Sequence, residues 1–308
     1  MSLKDEFLKS LVGQQKDGKI RFALDDHGDI THLIKRVDPR CREVYEKLAA
    51  LRSPYLPAVL LMKEVDGALE VHEEYIRGQT LEAYAQEQGP LDDETLGQVA
   101  FDVAQALRLL HSTQPPIIHR DVKPQNILRR ENGRFVLIDF DAARLYDADA
   151  DTDTRCIVTM GYAAPEQYGL AQTDVRSDLF SLGVTLYEMK TGEHYVMGAK
   201  CEGALHAVIA RCTAFDPKKR YASAEELLRA LDQARRRRRR NGFAAGGSLA
   251  LPFADDSNGR TECLAVLGHA RPFADACGDS AKRGCIALHL PSALRTALHA
   301  GWQHGAAP

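Results

Sequence analysis

The chain has 308 residues, 44% hydrophobic and 27% charged, an ordinary balance for a globular protein of one or two domains with a substantial core. Forty Lys and Arg against 43 Asp and Glu leave a net charge of −3, so nothing global argues for a nucleic-acid partner, and the basic residues that cluster do so at Arg235 to Arg240. Seven Cys, an odd number without C-x-x-C spacing, exclude a zinc ribbon or closed disulfide framework as a reading and fit a reducing cytoplasm. The charged start Met1-Ser2-Leu3-Lys4-Asp5-Glu6 lacks the apolar stretch of a secretory signal. No segment reaches about 18 uninterrupted apolar residues, so a soluble chain without a membrane span is expected.

From about residue 8 to 77 the chain contains short β-rich runs, Ile20-Arg21-Phe22-Ala23-Leu24, His32 to Val37 and Leu69 to His72. Turn signals at Lys16-Asp17-Gly18, Asp26-His27-Gly28-Asp29 and Asp66-Gly67 separate them, which predicts an antiparallel sheet. Between the second and third runs, Val44, Leu48 and Leu51 share one face of a helix that Ser53-Pro54 stops. The period turns helical near residue 80. Asp92 is placed to cap a helix whose Leu96, Val99, Val103, Leu107 and Leu110 recur at three or four residues. Asp178 to Lys190 is apolar on most sides and predicts a buried helix ending at Gly192, and Arg211 to Asp232 reads as two further short helices. The fold class is therefore α+β, a strand-rich lobe over about 8–77 and a helix-rich lobe over about 78–234, with a cleft between them. After the basic run 235–240, residues 241–308 are rich in Gly, Ala and Pro without a sustained apolar period, and are expected to carry little packed structure.

Three motifs stand in order along the helix-rich part: His119-Arg120-Asp121-Val122-Lys123-Pro124-Gln125-Asn126, Asp139-Phe140-Asp141 and Ala164-Pro165-Glu166. Together they resemble the catalytic core of a eukaryotic-type serine/threonine protein kinase of the bacterial branch, a resemblance that covers about residues 8 to 234. It implies a two-lobed kinase fold, ATP with Mg2+ or Mn2+, and protein substrates bearing Ser or Thr hydroxyls. A nucleotide-binding pseudokinase scaffold is the alternative. The sequence specifies neither substrate nor oligomeric state.

On that resemblance Gly13-Gln14-Gln15-Lys16-Asp17-Gly18-Lys19-Ile20 is similar to the glycine-rich loop over the phosphates, with Gln15 replacing the middle glycine. Lys35 would bind the α- and β-phosphates, held by a glutamate of the interposed helix, Glu43 ahead of Glu46. Ile20, Leu33 and Leu128 would enclose adenine, and backbone groups near Glu74 and Ile76 would hydrogen-bond it. Glu73 falls at the back of that pocket, where its carboxylate needs a partner, Lys35 or a backbone amide.

The same resemblance makes Asp121 the residue that orients the substrate hydroxyl and takes its proton, and Lys123 the cation at the γ-phosphate. Asn126 and Asp139 are implied metal ligands. Asp141 stands where the family has glycine, which raises the question of backbone freedom there. Thr159 would bridge toward Asp121 and Lys123, Glu166 would pair with Arg220, and Asp178 would hold the catalytic-loop backbone. Arg120 and Arg144 would bind a phosphate on the activation loop, with Thr152 and Thr154 as candidate sites.

Overall fold

The computed structural model describes residues 20–147, 159–168 and 173–244. The chain divides into two units, 1–249 and 250–308, and every described residue belongs to the first. Gly13, Gly18, Thr152 and Thr154 lie outside the described residues, as does the expected tail 241–308 except for residues 241–244, which are helical.

Four antiparallel strands, β1 (Ile20–Leu24), β2 (Ile30–Val37), β3 (Val59–Val65) and β4 (Ala68–Glu74), form one sheet in the order β1-β2-β4-β3. β3 escaped the sequence reading because it is an edge strand without clean alternation: Leu60 and Leu61 are both exposed. Between β2 and β3 lies α1 (Arg42–Ala50), which buries Val44, Tyr45 and Leu48 against the sheet side of the core. Leu51, expected on that face, is the extended C-cap residue, and Tyr45 occupies the inner surface instead.

The helix-rich part follows directly from β4. β5 (Gly78–Thr80), β7 (Ile127–Arg130) and β8 (Phe135–Leu137) make a second small sheet, and β6 (Ile117–Ile118) pairs with β9 (Arg144–Leu145). Gly78 is required where β5 meets β7, because a Cβ there would lie 2.0 Å from the Arg129 carbonyl oxygen. α2 (Leu81–Gln88) is followed by α3 (Asp93–His111), which Asp92 caps by accepting from the Glu94 and Thr95 amides. α4 (Val175–Thr191) is buried on nearly all sides and ends at Gly192 in the left-handed conformation.

α5 (His206–Cys212) and α6 (Ala224–Ala244) complete the part. α6 differs from the expected short helix: it continues through Arg235–Arg240, because Ala, Leu, Glu and Arg are all good helix formers and no Pro interrupts them. Among the described residues no helix is long and apolar enough to cross a membrane.

Candidate active site

The segment from β6 to β7 is pinned from below by α4. Asp178, fully buried in the first turn of α4, accepts the backbone amides of His119 at 2.9 Å and Arg120 at 2.7 Å, and His111 Nε2 at 2.8 Å. Burial pushes the Asp178 carboxyl up, but the hydrogen bonds from His111 and the Arg120 amide work against it, and the carboxyl is held below its ordinary range. Arg120 takes a left-handed φ of 67°, which turns the chain so that Asp121 leaves the core. Gln167 secures the same bend by donating to the Arg120 carbonyl at 3.0 Å.

His119 links this segment to the next motif. Its Nδ1 accepts the Asp121 amide at 3.3 Å, so its Nε2 carries the proton and donates to the Ile138 carbonyl at 3.1 Å. Burial pushes its pKa down despite the nearby carboxylates, so the imidazole is neutral. Phe140 stands edge-on to His119 at 5.2 Å and to Tyr45 of α1 at 6.4 Å, which ties α1 to the His119–Asn126 segment through one ring.

Four side chains then converge. Asp121 Oδ2 meets Lys123 Nζ at 2.7 Å and accepts Asn126 Nδ2 at 2.8 Å, while Oδ1 accepts the Thr159 hydroxyl at 2.6 Å. Lys123 Nζ also donates to Thr159 Oγ1 at 3.1 Å, and Asn126 Nδ2 to the Asp121 carbonyl at 2.9 Å. A partly exposed carboxylate is thereby fixed in direction by a hydroxyl, an amide and an ammonium. Such an arrangement can orient a hydroxyl and receive its proton while a cation stands ready for negative charge.

Lys35 requires a correction to the expected pairing. Its ammonium binds Glu73 Oε2 at 2.8 Å, whereas Glu43 and Glu46 are both exposed on the outer side of α1. The cause is the register of the sheet: Leu33 lies opposite Glu73 and Lys35 opposite Val71, so Lys35 and Glu73 share a face as diagonal neighbours. Glu43 and Glu46 flank the inward-facing Val44 and Tyr45 and therefore point away. Burial works against the Lys35 charge, yet Glu73 and Asp139 outweigh it and raise its pKa. The partner that the buried Glu73 needs is thus Lys35.

Asp139 lies across from Lys35 and takes a left-handed φ of 67°; no such φ occurs at Asp141, so glycine is not needed at that position. Ile20, Leu33 and Leu128 are each half-buried. Ile20 lies opposite Lys35 in the sheet, and Leu128 opposite Thr80. Ile76 is buried, and the Glu74 amide is taken by the Ala58 carbonyl at 2.8 Å. The β6–β9 pair sets Arg144 opposite Ile118, two residues before Arg120, so both expected phosphate-binding cations belong to one region. Farther down, Arg220 makes a two-pronged salt bridge with Glu166, Nη1–Oε1 2.7 Å and Nη2–Oε2 3.0 Å, beneath which Phe180 lies 4.7 Å from the guanidinium.

The donor set fits a nucleotide and a hard divalent cation. Asn126 turns its amide nitrogen to Asp121, which leaves its carbonyl oxygen, with the Asp139 carboxylate, as the oxygens offered to a cation. Among the described residues no cluster of three or more His, Cys, Asp or Glu forms a closed metal site. Two protein oxygens suit an ion that completes its shell with phosphate and water. Tyr45, His111 and Gln167 were not legible as site residues: each acts through a distant partner, and no motif marks them.

Comparison with known proteins agrees with this geometry. The family model described as protein kinase domain matches residues 35–239. A probable serine/threonine-protein kinase of Clostridium perfringens is 32% identical over 209 residues, covering 60% of this chain and 30% of that protein. Serine/threonine-protein kinase PknB of Mycobacterium leprae is 33% identical over 216 residues, 61% of this chain and 34% of its own length. Serine/threonine-protein kinase F of Synechocystis is 34% identical over 177 residues, 52% and 35% respectively. The matched segment thus spans about a third of the length of each of these relatives.

Proposed function

Because the chain belongs to the protein kinase domain family, we propose that it transfers the γ-phosphoryl group of ATP to serine and threonine hydroxyls of proteins. The observation that carries this reading is the Asp121–Lys123–Asn126–Thr159 network. Asp121 orients the incoming hydroxyl and takes its proton as the oxygen bonds to the γ-phosphorus and the bond to the β–γ bridging oxygen breaks, releasing ADP. Lys123 neutralises the charge gathering on the transferred group. Lys35 holds the α- and β-phosphates, and the half-buried Ile20, Leu33 and Leu128 enclose adenine, with backbone groups at Glu74 and Ile76 as its hydrogen-bond partners. Asn126 and Asp139 would hold Mg2+, or Mn2+ in its place, which when bound neutralises phosphate charge.

Arg120 and Arg144 support regulation by a phosphate on the loop between Asp139 and Glu166, with Thr152 and Thr154 as its acceptors. The reduced thiols of Cys201 and Cys212 fit a reducing cytoplasm. The test is transfer of γ-labelled phosphate from ATP to an added basic protein, followed by hydrolysis to phosphoamino acids. Label on phosphoserine and phosphothreonine is expected; label confined to phosphotyrosine, or to a small-molecule alcohol, would overturn the assignment.

A further inference from the structure

The carboxylate that positions Lys35 comes from the sheet and not from the helix. Lys35 and Glu73 are both nearly enclosed, with side-chain exposures of 10% and 2%, and their 2.8 Å contact is a diagonal pair on adjacent, continuously hydrogen-bonded strands. Neither residue requires α1 to be in any particular place for this contact to exist. α1 contributes Tyr45 to the same space. The phenol is fully buried, its hydroxyl has no hydrogen-bond partner among the described residues, and Glu73 Oε1 likewise has none. Burial, with the carboxylates of Glu73, Asp141 and Asp139, keeps that phenol protonated.

We infer that Glu73 is the positioning residue for Lys35, so that the phosphate-binding ammonium is set by strand pairing and is independent of any carboxylate on α1. The inference rests on the reading of Lys35 as a phosphate ligand. A carboxylate buried this deeply is stable only while paired, and among the described residues its pairing cation is Lys35. Glu73 therefore fixes both the charge state and the direction of the ammonium. A protein that positions this lysine from a helix can switch it by moving the helix; a cross-strand pair removes that control point and leaves regulation to the loop beyond Asp139.

The test compares Glu73→Gln, Lys35→Met and the double variant Glu43→Gln/Glu46→Gln in the full chain. Two readouts are used: the ratio of ADP to adenosine affinity by direct titration, and the separate kcat and KM for phosphoryl transfer. Glu73→Gln is expected to lower the ADP preference by about tenfold, toward the Lys35→Met value, since one charge-assisted contact to phosphate is lost. It is also expected to lower kcat by about 10²-fold through misplacement of the phosphates. The helix double variant, altered only at exposed positions, should match the wild type in both. Moving the carboxylate onto α1, as Tyr45→Glu in the Glu73→Gln background, should recover part of the ADP preference.

Glu73→Gln with unchanged or higher kcat and unchanged ADP preference would overturn the inference. So would loss of activity in the helix double variant, a result that stands even if Glu73→Gln does not fold. The ADP-to-adenosine ratio needs no turnover, so absence of transfer in the wild type would count against the kinase reading alone. Absence of any ADP preference in the wild type would instead remove the phosphate role of Lys35.

Discussion

The Thr159 hydroxyl donates to Asp121 Oδ1 at 2.6 Å while accepting from Lys123 at 3.1 Å, so one side chain joins the proposed base to its neighbouring cation across 38 residues of chain. Thr159→Val keeps the shape and removes the hydroxyl. Its loss leaves Asp121 with one fewer directing contact, and kcat is expected to fall by about 10- to 100-fold with nucleotide affinity unchanged. Thr159→Ser should retain most of the rate. Damage from Ser with none from Val would show that the methyl group, and not the hydrogen bond, matters there.

The pH dependence of stability follows from His119 and Asp178. His119 is neutral when folded, with its pKa below the ordinary 6.5, so the unfolded chain binds the extra proton and stability falls as pH drops below that value. The folded Asp178 pKa lies below the ordinary 3.8, so its contribution is present above that value and is lost as pH falls through the lower one. Asp102, whose buried carboxyl is pushed up, opposes this at the acid end. The urea midpoint should therefore decrease between about pH 7 and about pH 5, the histidine range, and decrease again below about pH 4. A midpoint that is flat or rising on acidification through the first range would contradict the neutral His119.

Glu166 and Arg220 form a deeply enclosed ion pair of the helical lobe, and Ser177 donates a further 2.7 Å bond to Glu166. Removing one partner strands the other charge. Arg220→Ala is expected to destabilise the domain by about 3–5 kcal/mol, and Glu166→Gln by less, because it keeps one acceptor oxygen. Chemical denaturation measures both. A loss below about 1 kcal/mol for Arg220→Ala would place the pair among the weak surface bridges.

Much of this arrangement was legible in the sequence because it is local. Spacing within His119–Asn126 sets Asp121, Lys123 and Asn126 within one short segment, and helical periodicity with Asp92 and Gly192 marks α3 and α4. What was not legible depends on register between segments. The alternation of β4 contains the signal in retrospect: Leu69, Val71 and Glu73 share the inner face, so a carboxylate occupies a position that the period assigns to an apolar side chain. Only the pairing of β2 with β4 shows that Lys35 is its partner. Likewise β3 lacked alternation because it is an edge, and α6 outran its apolar face because arginines are good helix formers, with Arg235, Arg236 and Arg237 exposed.

Asp121 is proposed to serve phosphoryl transfer and not nucleotide binding. The direct measurement follows γ-labelled phosphate from ATP with Mg2+ onto an added basic protein for the wild type and Asp121→Asn, beside the ATP affinity of each. Removal of the base should lower the transfer rate by about 10²- to 10⁴-fold, with affinity within about threefold of the wild type. Equal transfer by both proteins, or ATP binding without transfer by the wild type, would contradict the account.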